Sequence, residues 1–478
     1  MSNEEKYFTE EGKNMILFGK RCELFVDNYL IESKEGIRFR SAEPQCVKKV
    51  LTFDKPWEAA GSLGLTVFRD HENIKMYYRG FPGMGKGDGD EMQTSCLAVS
   101  EDGLNFERVA VNEIDYNGIK ENNIVFIGTN AHNFAPFYDE NPNCKPEERY
   151  KAIGGIKHVA GKGEGGLSVY CSPDGIHWRD MLGHPAMTEG TFDSMNIAFY
   201  DKSAEMYRCY SRNESACDDP TVKTDFSYGG YGMRAGLRAI QSYVSTDFLH
   251  WSRPVMNEYD VGDIDQLYTN AASQIPGAEH ILISIPMRFE ANRRFVPQDG
   301  NEEDCSPYPG ISDSVLMTSR DGMHWNKTLR DAWIRPNLAL REWTQRNFIA
   351  LAGVIESGDD FLVYIEKHYM WDDGGIYAYR LPRHRFISVY ADNDGGSITT
   401  KPMVFESEDI YLNYSTSAYG YVKLRIQSDA GEELFASGEI FGNELNRKLH
   451  IDGIVGKCGR ILLEMKEADV YAIGASSK

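Results

Sequence analysis

A seven-residue segment recurs four times at nearly constant spacing, and this repeat constrains the fold more than any other feature of the sequence. The copies are Ser100-Glu-Asp-Gly-Leu-Asn-Phe106, Ser172-Pro-Asp-Gly-Ile-His-Trp178, Ser245-Thr-Asp-Phe-Leu-His-Trp251 and Ser319-Arg-Asp-Gly-Met-His-Trp325. Their first serines are 72, 73 and 74 residues apart. A fixed period of this kind predicts one supersecondary unit per copy, arranged in a repeating architecture.

Each copy of this segment, called the box below, follows a short β-like run. Its Asp-Gly pair is typical of the tight turn of a hairpin, and the aromatic residue at its end starts the return strand. In the third copy Phe248 stands at the glycine position, which predicts a turn of different construction. The box is therefore interpreted as a structural motif and not as an active-site motif.

Two further strands precede each box. A polar start followed by an apolar run recurs at Asn133, Asn196, Asn270 and Asn347, and a strand rich in tyrosine and aliphatic residues comes next. Together with the box hairpin and its return strand, they form a four-stranded propeller blade.

Five second strands predict five blades, at about 50–115, 120–185, 186–258, 259–332 and 338–388. After residue 390, short alternating strands with Gly and Asp turns predict a β-sandwich. The predicted fold class is all-β, with a five-bladed β-propeller over 1–390 and a small β-sandwich over 391–478.

Composition excludes several classes of protein. The 478 residues contain 72 Asp and Glu against 51 Lys and Arg, a net charge of −21, which disfavours nucleic acids and anionic membranes as partners. The chain start lacks the pattern of a secretory leader, and the nine cysteines show no metal-ligand spacing. We therefore expect a cytoplasmic protein with free thiols, no cofactor and no catalytic metal. The 27 Tyr and 23 Phe suit sheets and sugar-binding clefts.

Five segments carry a resemblance to a known family. They are Leu24-Phe-Val-Asp-Asn-Tyr-Leu-Ile31, Tyr77-Tyr-Arg-Gly80, Phe192-Asp-Ser-Met-Asn196, Leu267-Tyr-Thr-Asn-Ala271 and Gly396-Ser-Ile-Thr-Thr400. On these segments and the repeats, nearly the whole chain resembles the five-bladed β-propeller glycosidases related to glycoside hydrolase families 32 and 43. The resemblance implies an axial pocket with three carboxylates, supplied by the first three inner strands.

The inner strands of a propeller start at one rim of its axis, so polar residues at these starts are expected to converge on one pocket. The rule selects Glu58, His132, Asn133, Asp193, Asn196, Asp265, Tyr268, Asn270, Glu342, Arg346 and Asn347, and blade five adds Glu366 and His368. Glycosidic cleavage requires two carboxyl groups in different roles. Asp193 and Glu366 are the first choices, with Glu366 as the acid, followed by Glu58 and Asp265. The other residues, with Arg288, are predicted to bind substrate.

Two residue types have a second interpretation. The four asparagines are interpreted as amide links between neighbouring inner strands, as donors for sugar hydroxyls, or as both. Arg288, Arg341 and Arg346 suit an acidic sugar or an attacking phosphate, or else serve as structural ion pairs. The sequence thus predicts a glycoside hydrolase that acts on an oligosaccharide or glycoside. The alternatives are a glycoside phosphorylase on the same fold and a non-catalytic carbohydrate-binding propeller, and assembly into homo-oligomers is left open.

Overall fold

The computed structural model describes residues 15–81, 91–159, 163–193, 195–215, 237–260, 265–291, 293–295, 310–327 and 329–476. Strands dominate these residues, and the helical segments among them are short 3-10 turns at Thr129–Asn133, Pro146–Glu148 and Leu340–Trp343. The predicted all-β class is confirmed. Within the described ranges, no helix has the length and apolar character needed to cross a membrane.

The first four strands belong with the C-terminal part of the chain, and the fifth belongs to the last blade. They are β1 (Ile16–Phe18), β2 (Cys22–Leu24), β3 (Ile31–Glu35), β4 (Ile37–Ser41) and β5 (Gln45–Thr52).

Blades I to III are antiparallel sheets whose strands follow one another from the axis outward, except that the last two strands of blade I both pair with its third. Blade I comprises β6 (Leu63–Arg69), β7 (Ile74–Gly80), β8 (Thr94–Ser100), β9 (Glu107–Arg108) and β10 (Ile124–Ile127). Blade II comprises β11 (Ala135–Tyr138), β12 (Tyr150–Val159), β13 (Gly163–Ser172) and β14 (Arg179–Asp180). Blade III comprises β15 (Ile197–Asp201), β16 (Met206–Ser215), β17 (Leu237–Ser245) and β18 (Val255–Met256).

Blade IV is divided into smaller sheets, and blade V takes its outer strand from the start of the chain. Blade IV comprises β19 (Glu258–Tyr259), β20 (Ser273–Ile275), β21 (Ala278–Ser284), β22 (Met287–Glu290), β23 (Ile311–Ser314), β24 (Met317–Ser319) and β25 (His324–Trp325). Blade V comprises β26 (Ile349–Ala350), β27 (Ile355–Ser357), β28 (Asp360–Lys367), β29 (Gly375–Pro382) and β5.

The ring closes between the last blade and the first. Inner strand β6 of blade I contacts both β11 of blade II and β26 of blade V, and Thr66 pairs with Ala352 across that closure. Strand β5 pairs antiparallel with β29, so blade V joins strands about 330 positions apart in the chain. The five-bladed propeller is confirmed, but the predicted first blade at 50–115 began too early, since residues up to Thr52 complete blade V.

An eleven-stranded sheet contains the C-terminal strands together with β1 to β4. Its other members are β30 (Ile387–Ala391), β31 (Gly396–Thr400), β32 (Met403–Phe405), β33 (Asp409–Gln427), β34 (Glu433–Ala436), β35 (Asn443–His450) and β36 (Cys458–Gly474). Residues 16–41 therefore pair with this sheet, whereas the sequence analysis assigned them to the propeller. Long-range pairing with β36 leaves no local pattern in the sequence. A division of the sheet into the two layers of a β-sandwich stays a prediction.

The box turns share one construction. In each copy the serine Oγ accepts the backbone N–H three residues on, at 2.8–2.9 Å, and that residue has a left-handed φ of 69–81°. Phe248 adopts this conformation with φ 69°, so the expectation of a different turn in the third copy is wrong. Its ring is fully buried and contacts the Phe137 and Tyr207 rings. This packing offsets the strain of a left-handed non-glycine residue.

Neighbouring blades are joined through the glycine of the box. Tyr77, Tyr210 and Tyr364 donate to the carbonyl oxygens of Gly175, Gly322 and Gly103, at 2.9, 2.8 and 2.8 Å. A Cβ at any of these glycines would lie within 2.8 Å of the tyrosine hydroxyl. Blade II has Ile153 at the tyrosine position, and the facing box has Phe248 instead of glycine. One buried aromatic ring thus fills each of these junctions, from one side or the other.

Candidate functional site

A cavity of about 20 Å³ lies on the propeller axis, at the end where the inner strands start. All five blades contribute to its wall, through Leu63, Arg79, His132, Asp193, Tyr268, Thr269, Arg346, Ile349 and Tyr369. The convergence of the strand starts on one pocket was expected. Four of the predicted residues, His132, Asp193, Tyr268 and Arg346, line this cavity together.

Asp193 is the carboxylate in the cavity wall, and its environment holds it firmly. Its side chain is ion-paired with Nη1 of Arg212, which is 1% exposed. Its backbone carbonyl accepts hydrogen bonds from His132 Nε2 and Asn133 Nδ2, both at 2.9 Å. Phe192, directly before it, and Met195, two positions after it, have left-handed φ angles of 50° and 41°. Such backbone strain is kept where surrounding contacts fix the chain, and it is frequent at functional sites.

Tyr268 is surrounded by positive charge. The guanidinium carbons of Arg212 and Arg238 each lie 4.6 Å from its ring centroid. Burial and the nearby Asp193 carboxylate raise the pKa of Tyr268, but the charges of the surrounding arginines outweigh them. The pKa of Tyr268 therefore lies below its ordinary value, because the guanidinium groups favour the phenolate.

Arg79 and Tyr369 complete the polar wall and were not selected from the sequence. Arg79 donates to the carbonyl oxygens of Gly61 at 3.0 Å and His132 at 3.2 Å, and to the Tyr369 hydroxyl at 3.4 Å. The Arg346 guanidinium lies 4.8 Å from the Tyr369 ring centroid. Among the described residues, the cavity wall thus contains two arginines, one carboxylate and two phenols.

Glu366, predicted as the acid, does not line the cavity. It is 1% exposed on β28, and its Oε2 accepts the backbone N–H of Gly64 at 2.6 Å, while Oε1 has no hydrogen-bond partner. Burial raises the pKa of Glu366 to about 8, although the Gly64 bond and the charge of Arg79 act in the opposite direction. The raised pKa was expected, but the carboxyl group binds the backbone next to the wall residue Leu63, and Glu366 itself pairs with Ile349 between neighbouring strands of blade V.

Glu58 and Asp265, the other predicted catalytic carboxylates, lie away from the cavity wall. Glu58 accepts from Arg108 Nε and Nη2 at 3.0 and 2.8 Å and from the Tyr78 hydroxyl at 2.6 Å. Asp265 pairs with Lys327 at 2.9 Å. Both carboxylates are ion-paired, and neither is among the residues described in the cavity wall.

Three predicted substrate-binding residues are likewise held in ion pairs outside the wall. Arg288 binds both carboxylate oxygens of Asp313, at 3.0 and 2.7 Å, and Glu342 binds Lys367 at 2.7 Å. His368 Nδ1 lies 2.9 Å from Asp373. The contacts of Arg288 with Asp313 agree with one of the two interpretations of this residue in the sequence analysis, that of a structural ion pair.

The four recurrent asparagines link backbone segments around the axis. The side chains of Asn133 and Asn270 donate across blade boundaries to the backbone of blade III, at the Asp193 and Met195 carbonyls. Asn196 binds the Phe192 carbonyl, and Asn347 binds the carbonyls of Arg341 and Thr344 and accepts the His368 N–H. None of them is among the residues described in the cavity wall. These contacts correspond to the structural interpretation of the asparagines.

The repeat contains a signal that identifies part of the site. Arg79, Arg212 and Glu366 each follow, by two positions, a tyrosine that donates to a box glycine. They occupy one structural position, in blades I, III and V. Aligning the second strands on these tyrosines selects both buried arginines from the sequence, whereas the rule based on inner-strand starts misses them.

A larger cavity of about 430 Å³ lies at the opposite end of the inner strands. Its wall includes Asp70, Glu140, Glu279 and Glu356, and each of these is ion-paired: Asp70 with Lys75, Glu140 and Glu279 with Lys202, and Glu356 with Arg383. By size alone, the larger cavity would be the candidate site. We choose the smaller cavity because its wall contains the buried Asp193 carboxylate and the Tyr268 phenol, whose pKa is lowered, and both side chains contact Arg212.

No protein-family model and no curated protein match the sequence. Several solved structures are similar in fold. A family 43 arabinoxylan arabinofuranohydrolase from Bacillus subtilis is 11% identical, with a TM-score of 0.38, and the match covers 88% of this chain and 96% of that one. A family 32 β-fructofuranosidase from Bombyx mori is 9% identical, with a TM-score of 0.38 and coverages of 91% and 93%. An N-acetylgalactosamine deacetylase from F. plautii, in complex with blood group B trisaccharide, is 12% identical, with a TM-score of 0.41 and coverages of 74% and 97%.

The five-bladed propeller of the structure matches the fold that the sequence resemblance implies. At these identities and TM-scores, the similarities carry no argument about the function of this chain.

Proposed function

We propose that the protein hydrolyses a glycosidic bond of an oligosaccharide or glycoside at the axial cavity. The observation that carries the proposal is the placement of Asp193 and Tyr268 in one cavity wall, each in contact with Arg212. Hydrolysis of a glycoside needs one group that protonates the leaving oxygen and another that activates water or attacks the anomeric carbon.

Asp193 is the group assigned to water activation or to attack. It is the one carboxylate among the residues described in the wall, and its ion pair with Arg212 fixes its position. A fixed carboxylate also stabilises the positive charge that develops on the sugar ring in the transition state.

Tyr268 is the group assigned to protonation of the leaving oxygen. A phenol whose pKa is below its ordinary value is a stronger acid, and this one lies in the same wall as Asp193. Glu366 has a suitable pKa of about 8, but it does not line the cavity. For this reason the proposed acid differs from the one that the sequence suggested.

The test is a hydrolysis assay on a panel of aryl glycosides and oligosaccharides, with release of reducing sugar as the readout. The wild-type protein is compared with Asp193→Asn and with the control Asp265→Asn, whose ion pair lies outside the cavity. Cleavage by the wild type and the control, lost in Asp193→Asn, supports the proposal. Binding of glycans by the wild type without cleavage of any substrate contradicts it and indicates a carbohydrate-binding propeller.

Phosphorolysis is the second candidate, favoured by the two arginines in the cavity wall. Guanidinium groups are suited to hold an attacking phosphate. The same assay in phosphate-free buffer separates the two reactions. Turnover that requires added phosphate and yields a sugar phosphate identifies a phosphorylase, and turnover without phosphate identifies a hydrolase.

A further inference from the structure

Four arginines lie in or beside the wall of the axial cavity, within a strongly acidic protein. Arg79 and Arg346 line it, and Arg212 and Arg238 lie against the ring of Tyr268, one of its wall residues. Asp193 is paired with Arg212, and Glu214 is 3.8 Å from the same arginine. These guanidinium groups lie together in a chain whose net charge is −21.

Glu366 does not balance this charge at neutral pH. The charge of Arg79 acts on it, but burial raises the pKa of Glu366 to about 8, so the group is mostly protonated at pH 7. Arg79 donates to two backbone carbonyls and a phenol, and its Nη1 also lies 3.2 and 3.3 Å from the ring nitrogens of His132. Arg79 is therefore a buried cation whose described hydrogen bonds include no anion.

Several guanidinium donors remain unused inside the protein. Arg212 is 1% exposed, and its Nε and Nη2 atoms are buried without a hydrogen-bond partner, as is Nε of Arg79. Buried donors without acceptors are costly, and a buried guanidinium costs more, unless a ligand supplies the acceptor. Buried arginines beside a cavity that have N–H groups without acceptors are expected at a site that binds an anionic ligand.

The size of the cavity restricts that anion. A volume of about 20 Å³ accommodates about one water-sized group. An oxygen of a planar carboxylate fits this space, and a guanidinium fork matches the planar carboxylate geometry. A whole sugar ring does not fit this space. The ring of the substrate would lie outward of the cavity, with one substituent inside.

We propose that the substrate is an acidic sugar whose carboxylate enters the axial cavity and is bound by Arg79 and Arg346, with Arg212 behind them. This inference rests on the proposed function for its location and names the substrate class of that site. A carboxylate in the cavity fixes the sugar ring relative to Asp193 and Tyr268.

The experiment measures binding of free sugars to the full chain by isothermal titration calorimetry, so it does not require cleavage. The probes are D-glucuronate, D-galacturonate, D-mannuronate, N-acetylneuraminate and 3-deoxy-D-manno-octulosonate. Each hexuronate is compared with its neutral parent hexose, and inorganic phosphate is titrated separately. We expect at least one sugar acid to bind ten times more tightly than the neutral hexoses, and its affinity to fall at least tenfold in Arg346→Gln and in Arg79→Lys.

Arg288→Lys is the matched control, since Arg288 is ion-paired with Asp313 outside the cavity wall. It should retain wild-type affinity for the sugar acid. If Arg79→Lys fails to fold, as judged by its melting curve, the half-buried Arg346→Gln decides the result. Equal affinity for neutral and acidic sugars, tighter binding of phosphate than of every sugar acid, or unchanged affinity in Arg346→Gln overturns the inference.

The outcomes also separate this inference from the proposed function. Cleavage of neutral glycosides without preference for sugar acids overturns the inference and leaves hydrolysis in place. Tight binding of a sugar acid without cleavage of any glycoside of that acid leaves the inference in place and overturns hydrolysis.

Discussion

Arg212 connects Asp193 to Tyr268: its Nη1 atom is ion-paired with the Asp193 carboxylate, and its guanidinium carbon lies 4.6 Å from the Tyr268 ring centroid. Blade III therefore supplies both the carboxylate and the cation of the site, and blade IV supplies the phenol. Because the three side chains share contacts, substitutions among them are expected to be non-additive.

Asp193→Asn should lower turnover on a cleaved substrate by about 10³-fold, because neither water activation nor attack proceeds without the carboxylate. The amide keeps the shape of the side chain but removes the anion paired with the buried Arg212 guanidinium, so the melting temperature should fall, and folding is checked before the kinetics. Steady-state kinetics on the purified variant measure the effect. Asp265→Asn, which removes a charge paired with Lys327 outside the cavity, should retain turnover within about threefold. A tenfold or larger loss in Asp265→Asn would return that residue to the list of catalytic groups.

Tyr268→Phe should lower turnover by about 10²-fold or more, since the variant keeps the ring but loses the proton donor. The pKa of Tyr268 lies below its ordinary value, so wild-type turnover should fall on the alkaline side as the phenol loses its proton. A pH–rate profile of the variant should lack this alkaline limb. Tyr364→Phe is the control, because its hydroxyl bonds to the Gly103 carbonyl in a blade junction. A limb that persists in Tyr268→Phe would assign the acid role to another group.

Glu366→Gln should change stability more than activity. The pKa of Glu366 is raised to about 8 in the folded protein from an ordinary value of 4.5. Between these two pH values the folded protein therefore keeps a proton on Glu366 that the unfolded chain loses. The stability that the protonated group contributes is complete below about pH 4.5 and is lost progressively as the pH rises through about 8. Because the amide does not ionise, the variant should become more stable relative to the wild type over that interval, and the difference should be constant above it.

Denaturant unfolding of both proteins between pH 4 and 9 measures this difference. Since Glu366 does not line the cavity, turnover of Glu366→Gln at neutral pH should stay within about tenfold of the wild type. A 10³-fold loss of turnover in a well-folded variant would show that the carboxyl group reaches the substrate.

The sequence predicted the propeller and its blade count because the information lies in local repeats. The box turns and the second strands recur within about 75 positions, and their bonds are made within a blade or to its neighbour. The pairing of β5 with β29 and of β2 with β36 joins distant segments, and no local pattern records it. The site was partly predictable for a related reason. The rule based on inner-strand starts selected Asp193 and Tyr268, but it also selected Asp265 and Glu58. These two carboxylates are paired with Lys327 and Arg108, which are distant in the sequence, so the rule could not identify the pairing.

The junction between blades II and III offers a test of how the repeat holds neighbouring blades together. At three other junctions a buried tyrosine donates to the box glycine, and here Ile153 and Phe248 stand in their places. Phe248→Gly removes a fully buried ring, which should lower the free energy of unfolding by about 3–5 kcal/mol less the left-handed strain that glycine relieves at this position. Ile153→Tyr alone should also destabilise the protein, because the added ring and the Phe248 ring compete for one space.

The double variant Ile153→Tyr/Phe248→Gly reproduces the arrangement of the other junctions. It should be more stable than the sum of the two single effects by at least about 1 kcal/mol, because the ring fills the space again and its hydroxyl gains the glycine carbonyl. A double-mutant cycle from urea unfolding curves gives this coupling energy. The same cycle with Ile153→Phe in place of Ile153→Tyr isolates the hydroxyl contribution, which should be about 1 kcal/mol. Strictly additive effects would show that the two positions are not alternative ways of filling one junction.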